Sequence, residues 1–534
     1  MKIEDILTTY RQSAITKYLS GELKKTKVNN LQINGLLGGA KAFVVKSCVE
    51  MSVDMHLLVF ADKETAAFFY NDMEQLYGEK ELDFFDRKVL FLPSSYRKMT
   101  ALDELDSYNV LLRTRVLQQI ANNSVQVVVS YVDALIEKVF PYDKILKESL
   151  RLFEGEEIGM DNLIEFLAEN DFVYNDYVFH PGQYVVRGGI IDVFSFAEEY
   201  PCRIEFYGDT IKSLRLFDPV SQVSKTLINE IVLLPSVNDK LDKNQKDSFF
   251  SILHENSKIW IDDFALCVEN AKSFSDENKD AEELFIDSRD FFKQITRYIT
   301  VEFSSSLLKN ARLISFNTIH PMSFNRNFDW LLSHWFENFE KGIINYFGSD
   351  NPNQFKRMRS IIHEILETNA TYSNLSKEYK ADIEKNIIHY VNLSLHEGFV
   401  DKDHKIAFYT DHQVFNRYHR YAVEDKYKNK QSVLLKDIYD LQIGDYVTHI
   451  DHGIGRYEGL EKIEVNGKQQ EAIKIVYKNN DVLYISIHSL HRISKYVGKD
   501  GTTPALHRIG GNTWNKVKEK TKSRVKEMVI DLAK

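Results

Sequence analysis

The sequence has little cysteine and no long apolar run. Three cysteines among 534 residues, Cys48, Cys202 and Cys267, lie far apart and form no CxxC pair. This pattern excludes a disulfide scaffold and a thiolate zinc site, and it indicates a reducing compartment. No stretch approaches the roughly 18 apolar residues of a membrane span, and the N-terminal MKIEDILTTYRQ has acids where a signal peptide needs an apolar core. We therefore expect a cytoplasmic protein without a metal site or membrane contact.

A surplus of basic residues is also missing. The net charge is −10, so the chain as a whole is not a general DNA-coating protein, and any nucleic-acid contact must come from local patches. Hydrophobic residues make up 43% and charged residues 27%, as in ordinary globular proteins. The length predicts about three to five domains.

Residues 183–219 predict a β-meander. The runs Ile190 to Phe196 and Cys202 to Tyr207 are rich in β-branched and aromatic residues, and glycine-containing turns separate them. Alternation in the second run should place Ile204 and Phe206 on one face of the sheet. By residue content alone, this is a meander that packs one face on a core.

Residues 31–61 predict strand, glycine loop, helix and strand, the setting of a phosphate-binding loop. A working loop follows GxxxxGK[ST], but Ala40 replaces the second glycine and Ala42 replaces the hydroxyl residue that holds Mg²⁺. Lys41 alone cannot hold the metal, so we interpret residues 35–42 as a relic loop that binds no nucleotide. Its residues are Gly35, Gly38, Gly39, Ala40, Lys41 and Ala42. Asp262 and Asp263 end an apolar strand in the manner of a Walker B motif, with no metal-binding loop to serve.

Two further units follow. Residues 323–415 predict a small α/β domain with an amphipathic helix from Gln354 to Leu366 and no cluster of acid, base and nucleophile. His389 and His396 are expected to be packing or surface residues. A polar linker over 416–436 leads to residues 437–500, which predict a small SH3-like or Tudor-like barrel of short antiparallel strands with a free edge strand. The predicted barrel strands are Asp445–Asp451, Ile454–Glu464, Lys468–Lys478, Val482–Ile487 and Arg492–Val497, with hairpin turns at Asn466-Gly467 and Asn479-Asn480.

Two stretches resemble known families. VRGGIIDVF (186–194), RIEFYGD, IKSLRLFDP and a later Leu-Leu-Pro resemble the B subunit of bacterial excinuclease and the region of transcription-repair coupling factors that copies it. IGDYVTHIDHGIGRYEGLEKI (443–463) and LYISIHSLHRISKYVG resemble the RNA-polymerase-interaction domain that coupling factors share with CarD-type regulators. Together they identify the chain as similar to the N-terminal part of a coupling factor.

The resemblance implies a multidomain α/β plus β fold. A degenerate P-loop-like α/β domain is interrupted by a β-rich module, and a second small α/β domain, a CarD-like barrel and a helix follow. The predicted divisions are 1–140 and 218–322 for the first domain, 141–217 for the module, 323–415, 416–436, 437–500 for the barrel, and 501–534 for a basic amphipathic helix that begins near Trp514.

The resemblance also implies a function. Coupling factors displace RNA polymerase stalled at DNA damage by ATP-driven translocation and recruit the excinuclease A subunit. We expect this chain to be a non-enzymatic N-terminal piece without catalytic residues or cofactors, since ATP, Mg²⁺ and most DNA contacts belong to a motor that is not in the sequence.

The implied contact residues lie in the module and the barrel. Arg187 should contact the excinuclease A subunit, with Tyr184 and Phe194 beside it, because the B subunit's second arginine corresponds to Val185 here. The alternative is that Arg187 pairs internally with Asp192 or Glu205. The RNA polymerase β subunit should add a strand along 454–463, where Leu460 is either the apolar contact or a core residue. The implied polymerase-contact residues are Ile454, Gly455, Arg456, Tyr457 and Leu460.

Two rival interpretations stay open. One is an authentic excinuclease B subunit, against which Ala40, Ala42 and the barrel argue. The other is a CarD-like transcription regulator with an α/β extension, against which the B-subunit-like stretch argues.

Overall fold

The structure is a computed structural model that describes most of the chain. The predicted linker from residue 418 onward, the Asn466-Gly467 turn and the basic helix after Trp514 lie outside the described residues. The described residues are 3–25, 30–80, 82, 86–98, 101–147, 149–219, 221–234, 246–278, 281, 283–303, 311–324, 326–372, 374–417, 443–449, 452–465, 468–486, 493–496, 504, 506–509 and 514.

The strands and helices follow in chain order. The strands are β1 (Asn30–Asn34), β2 (His56–Phe60), β3 (Val89–Leu92), β4 (Tyr96–Lys98), β5 (Ala101–Leu105), β6 (Val127–Tyr131), β7 (Leu150–Phe153), β8 (Val173–Tyr174), β9 (Gln183–Arg187), β10 (Ile190–Val193), β11 (Cys202–Tyr207), β12 (Thr210–Phe217), β13 (Ser224–Ile228), β14 (Glu230–Leu233), β15 (Lys258–Ile261), β16 (Ile299–Glu302), β17 (Arg312–Ser315), β18 (Thr318–Ile319), β19 (Ile344–Gly348), β20 (His389–Val391), β21 (Phe399–Asp401), β22 (Ile406–Thr410), β23 (Tyr446–His449), β24 (Gly453–Val465), β25 (Lys468–Val476), β26 (Val482–Ser486) and β27 (Ile493–Lys495). The helices are α1 (Ile3–Gln12), α2 (Ala14–Leu23), α3 (Ala40–Glu50), α4 (Lys63–Tyr77), α5 (Ser107–Ala121), α6 (Val132–Ile136), α7 (Tyr142–Lys147), α8 (Met160–Glu169), α9 (Phe264–Glu277), α10 (Ser288–Ile295), α11 (Phe328–Glu340), α12 (Pro352–Thr368), α13 (Lys377–Asn386) and α14 (Asp411–Val414).

The first domain is built on a parallel sheet. Its order in the described residues is β17-β1-β16-β15-β2-β6-β3, and all of these pairings are parallel. Every residue of β2 and β6 is buried, as expected when helices cover both faces of a parallel sheet. Local signals set the helix ends: the Asp62 side chain accepts the Thr65 N–H to start α4, and Gly78 ends it with φ 68°. The predicted strand–loop–helix–strand order over 31–61 is confirmed.

The β-rich module is inserted between β6 and β15. Its sheet has the order β13-β12-β11-β10-β9-β8, and a separate pair joins β14 to β7. In β11, Cys202, Ile204 and Phe206 are buried while Tyr207 is exposed, which confirms the predicted alternation. The sheet continues past the predicted end at residue 217, because β13 pairs with β12 and β14 returns to β7. The module therefore extends to about residue 234.

The small α/β domain has a mixed sheet of order β18-β21-β22-β19-β20 in the described residues. The predicted amphipathic helix is α12, whose Met358, Ile362 and Ile365 are buried against this sheet. Trp335 and Phe347 lie fully buried in the same core. At the centre of the sheet, β19 and β22 pair in parallel.

The first domain and the small α/β domain share one core. Tyr10 of α1 and Phe43 of α3 stack with ring centroids 5.7 Å apart, and both contact Phe399 of β21. The Tyr10 hydroxyl donates to the Asp401 carboxylate at 2.8 Å, and His404 bonds the same carboxylate oxygen at 2.8 Å. Asp401 is fully buried, and although burial alone would raise the pKa of its carboxyl, the contacts with His404 and Tyr10 together lower it. These contacts fix the N-terminal helix to the small domain.

The last unit, which we call the terminal sheet, is antiparallel with the order β26-β25-β24-β23-β27 in the described residues. The five predicted strands are confirmed to within a few residues. Asn479 and Asn480 join β25 to β26 with φ of 69° and 62°, a left-handed pair that asparagine tolerates better than most residues. Val447, Ile475 and Ile493 form its buried core.

The three cysteines are buried and unpaired, and burial raises the pKa of each thiol, which disfavours the reactive thiolate. Among the described residues, no group of three or more His, Cys, Asp and Glu side chains is placed to hold a metal ion. No helix in the described part of the chain is long and apolar enough to cross a membrane.

Candidate functional site

The relic loop lies between β1 and the N-terminus of α3, where a phosphate-binding loop would offer free backbone N–H groups to an anion. Here four of those donors are used within the chain. The Gly39 N–H donates to the Glu397 carbonyl at 3.0 Å, and the Leu37 N–H donates to Thr318 Oγ1 at 2.7 Å. The Lys41 and Ala42 N–H groups bond back to the Gly38 and Gly39 carbonyls. The loop therefore presents few free donors to a phosphate.

The side chains of the relic loop are also occupied. Lys41 Nζ lies 2.6 Å from Asp262 Oδ1, so the two residues that would hold phosphate and metal neutralise each other. Asp263 caps α9 by accepting the Leu266 N–H. Ala40 and Ala42 are fully buried in the shared core. The sequence predicts that these residues belong to a worn nucleotide site. In the structure each of them is paired or buried within the fold.

A cleft of about 500 Å³ remains beside Lys41. Its walls include Asp62, Glu64, Asp262 and Glu397 against the ammonium of Lys41. Because like charges repel, this lining disfavours a polyphosphate. Neither the donor set nor the charge of the cleft fits a Mg²⁺-nucleotide.

Arg187 ends β9 at the β9–β10 hairpin of the module. Its side chain is 41% exposed, which agrees with the prediction that it reaches the surface. The guanidinium lies over the Tyr177 ring at 4.6 Å and donates to the Asp176 carbonyl. These contacts orient the Arg187 guanidinium and leave part of it accessible to a partner.

The internal pairing considered for Arg187 is only a distant one. Asp192 Oδ2 lies 4.0 Å from the Arg187 guanidinium, but Arg203 holds the same carboxylate with two bonds of 2.7 and 2.8 Å. The Glu205 carboxylate is bound by Lys212 and Arg215. The stronger carboxylate contacts of the sheet thus belong to cations other than Arg187.

Tyr184 and Phe194 do not join Arg187 at the surface. Tyr184 is 7% exposed and packs in the main module core, and Phe194 is 1% exposed. Phe194 lies with Val178, Val185 and Phe217 in a second small cluster on the other side of the sheet. Since both faces of β9 and β10 are covered there, the expectation that these two aromatic side chains supply contact surface is corrected.

The predicted polymerase-contact strand is β24. Residues 453–456 pair with β23, and hydrogen bonds of Tyr457 with Gly444 and Asp445 extend that side by one residue. Residues 456–457 and 460–465 pair with β25 on the other side, with a break in register between Tyr457 and Leu460. Among the described residues, 460–465 therefore have a strand neighbour on the β25 side only. We call this stretch the open half of β24.

The first predicted contact residues are held inside the terminal sheet. The Ile454 N–H donates to His507 Nδ1 and its carbonyl accepts the His507 N–H, both at 2.9 Å. A side chain at Gly455 would place its Cβ 2.4 Å from Ile475. Arg456 pairs with Glu458 at 2.8 Å, and Tyr457 packs against the sheet core. Strand addition along 454–457 is thus excluded, because both backbone sides are already paired.

Leu460 lies in the open half, and its backbone pairs with Ile473 of β25. Its side chain lies outside the described residues, so the choice between surface and core stays a prediction. His507 was missed by sequence reasoning, because its contact with Ile454 spans 53 residues and leaves no local signal.

Two family models match the chain. Residues 150–238 match the UvrB interaction domain, and residues 441–497 match the CarD-like/TRCF RID domain. The first range agrees with the module as far as β14, and the second contains the terminal sheet.

Curated relatives carry one shared name, transcription-repair-coupling factor. The Bacillus subtilis protein is 26% identical over 84% of this chain and 44% of its own length. That of Rickettsia bellii is 26% identical over 92% of this chain and 47% of its own length, and that of Staphylococcus aureus (strain MRSA252) is 23% identical over 94% and 48%. The chain therefore spans about half the length of these relatives.

Proposed function

The likeness just described identifies the chain as a relative of the transcription-repair-coupling factors, and from this premise we propose that it is an adaptor between stalled RNA polymerase and nucleotide-excision repair. The observation that carries the proposal is the presence, in one chain, of a UvrB interaction domain match and a CarD-like/TRCF RID domain match. Each points to a different protein partner, and a chain with both can hold the two together.

The polymerase contact is assigned to the open half of β24. Backbone N–H and C=O groups on an unpaired strand side bind an added strand with little sequence demand, and neighbouring side chains set specificity. The β subunit of RNA polymerase is the expected donor of that strand. The contact is shorter than the stretch from Ile454 to Ile463 inferred from sequence, because its first residues are paired with β23 and His507.

The contact with the excinuclease A subunit is assigned to the surface around Arg187. A guanidinium that is part exposed and already oriented by Tyr177 loses little freedom when it binds a carboxylate. The aromatic anchors expected beside it are buried, so the contact is centred on the arginine and the β9–β10 hairpin.

The relic loop contributes no ATP chemistry in this proposal. Four of its N–H donors and its lysine are engaged within the chain, as are Asp262 and Asp263, and phosphoryl transfer needs such groups for phosphate and Mg²⁺.

A bridging experiment tests the adaptor. Purified chain would be loaded onto immobilised RNA polymerase, and excinuclease A subunit would then be passed over the surface. We expect the A subunit to bind only when the chain is present. Binding of the chain to neither partner, with a normal circular-dichroism spectrum, would refute the proposal.

A further inference from the structure

The relic loop is in close contact with the stretch that follows β20 in the small α/β domain. We call residues 395–398 the docked segment. The Glu397 carbonyl accepts the Gly39 N–H at 3.0 Å, the position in which a phosphate-binding loop would offer that donor to a phosphate oxygen. The segment supplies a carbonyl oxygen where a nucleotide would supply an anionic one.

The two glycines at the contact are required by this approach. A Cβ on Gly38 would lie 2.4 Å from the Gly398 carbonyl oxygen, and a Cβ on Gly39 would lie 2.6 Å from Leu395 and 2.8 Å from the Glu397 oxygen. Gly39 has φ −61°, an ordinary helical value, so its backbone does not need glycine. What excludes a side chain at Gly39 is the docked segment itself.

Further contacts hold the segment from its other side. The His396 N–H donates to Asp72 at 2.7 Å, and the His396 ring stacks on Phe68 with centroids 3.6 Å apart. Asp72 belongs to α4 of the first domain and is buried. The Gly398 N–H donates to the Gln413 side chain at 2.8 Å, which ties the segment to its own domain.

We propose that the relic loop is a binding site whose ligand is the docked segment of the same chain, so that a former nucleotide site now joins the small α/β domain to the first domain. Gly38 and Gly39, which occupy x positions of the GxxxxGK[ST] pattern, serve this intramolecular contact. The close approach of the docked segment explains why both positions lack a side chain.

Gly39→Ala in the full chain tests the site. The added methyl meets the docked segment without straining the loop backbone, so hydrogen exchange at the His396 amide should accelerate about tenfold or more, while amides in β2 keep their protection. Gly21→Ala is the matched control, because nothing lies within 4 Å of its added Cβ. Unchanged protection of His396 in a folded Gly39→Ala chain would overturn the proposal.

A second variant keeps the test decisive if Gly39→Ala does not fold. Leu395→Ala removes a contact with Gly39 without overfilling the loop, and it should raise exchange at the same amide. A variant with the loop pattern restored, Ala40→Gly with Ala42→Ser, should still show no calorimetric binding of Mg-ATP. The reason is that the Gly39 N–H already donates to the Glu397 carbonyl. Micromolar Mg-ATP binding with the His396 amide still protected would show that the segment does not occupy the nucleotide position.

Discussion

The parallel sheet and the antiparallel sheets of this chain use their polar groups in opposite ways. Around the parallel sheet, the glycine loop bonds to the small α/β domain, Lys41 pairs with Asp262, and Asp263 caps α9. In the antiparallel sheets, Arg187 reaches the surface at a hairpin, and one side of the open half of β24 has no strand neighbour among the described residues.

The difference shows that a sequence pattern typical of binding predicts a binding site only where its backbone N–H donors are not already bonded within the fold. Both regions carry a sequence pattern associated with binding through the backbone. In the relic loop, four backbone N–H groups (Leu37, Gly39, Lys41 and Ala42) are bonded inside the fold, whereas an unpaired strand side keeps its donors available to a partner.

The largest effect that would sharpen this comparison is expected at Leu460. Leu460→Arg should weaken RNA polymerase binding by at least about 100-fold with an unchanged melting temperature, since burying an unpaired charge beside an added strand costs several kcal/mol. Binding measured by interferometry, beside a thermal melt, checks it.

Val482→Arg is the matched control for Leu460→Arg. It places the same charge on β26, the outer strand on the other side of β25, where Val482 is 41% exposed. Loss of polymerase binding in this control, with normal binding by Leu460→Arg, would move the contact from β24 to β26. A collapse of the fold in Leu460→Arg would make Leu460 a core residue.

Arg187→Ala comes next in size. Truncating one partner of a desolvated charge pair costs about 2–5 kcal/mol, so affinity for the excinuclease A subunit should fall more than about tenfold. Arg151→Ala removes another exposed arginine of the module, on β7, and should leave the affinity unchanged. Wild-type affinity of a folded Arg187→Ala chain would exclude Arg187 from the contact.

A pH effect should appear where the module joins the parallel sheet. Glu198 follows Phe196 and Ala197, which pack in the core beneath that sheet, and burial raises the pKa of its carboxyl from 4.5 to about 7. The folded state therefore holds this proton more tightly than the unfolded state. The free energy of unfolding should fall by about 1–3 kcal/mol as the pH rises from about 4.5 to above 7.

Glu198→Gln should flatten that part of the pH profile, as measured by urea unfolding at pH 5 and pH 8. Asp133, whose pKa burial raises to about 6, adds a smaller change in the same direction and should remain in the variant. An identical pH dependence in wild type and Glu198→Gln would contradict the assignment.

Lys41→Met should have the smallest effect. It leaves Asp262 without its 2.6 Å partner, and we expect about 1 kcal/mol of lost stability because both side chains are only 23% exposed. Lys341→Met, in an exposed pair, should change stability by less than about 0.5 kcal/mol. Calorimetry should detect no Mg-ATP binding to wild type or to Lys41→Met, and micromolar binding that depends on Lys41 would reverse our view of the loop.

Local patterns predicted the elements well and the contacts between them poorly. The β-branched runs of β10 and β11 and the Asn479-Asn480 turn carry their structure in neighbouring residues, so the strands could be predicted. The pairing of β14 with β7 joins residues about 80 positions apart in the chain, and no local pattern in Glu230–Leu233 predicts β7 as the partner strand.

The candidate sites follow the same division. The loss of nucleotide chemistry at Ala40 and Ala42 could be inferred from residue types, because hydroxyl and glycine have defined tasks. The burial of Phe194 could not, since it depends on Val178 covering the far face of the sheet. Nor could a glycine at position 39 reveal whether it admits a phosphate or Glu397.

The bond from Tyr10 to Asp401 has a consequence for how the protein is made. Its partners are 391 residues apart, so at about 5–20 residues per second a ribosome needs roughly 20–80 s between them. During that time α1 and the Phe43 side of α3 have no Phe399 or Phe408 to cover them. The core of the first domain therefore cannot close until the small α/β domain has been synthesised. Until then, the nascent chain should bind chaperones through the exposed apolar surface of α1 and α3.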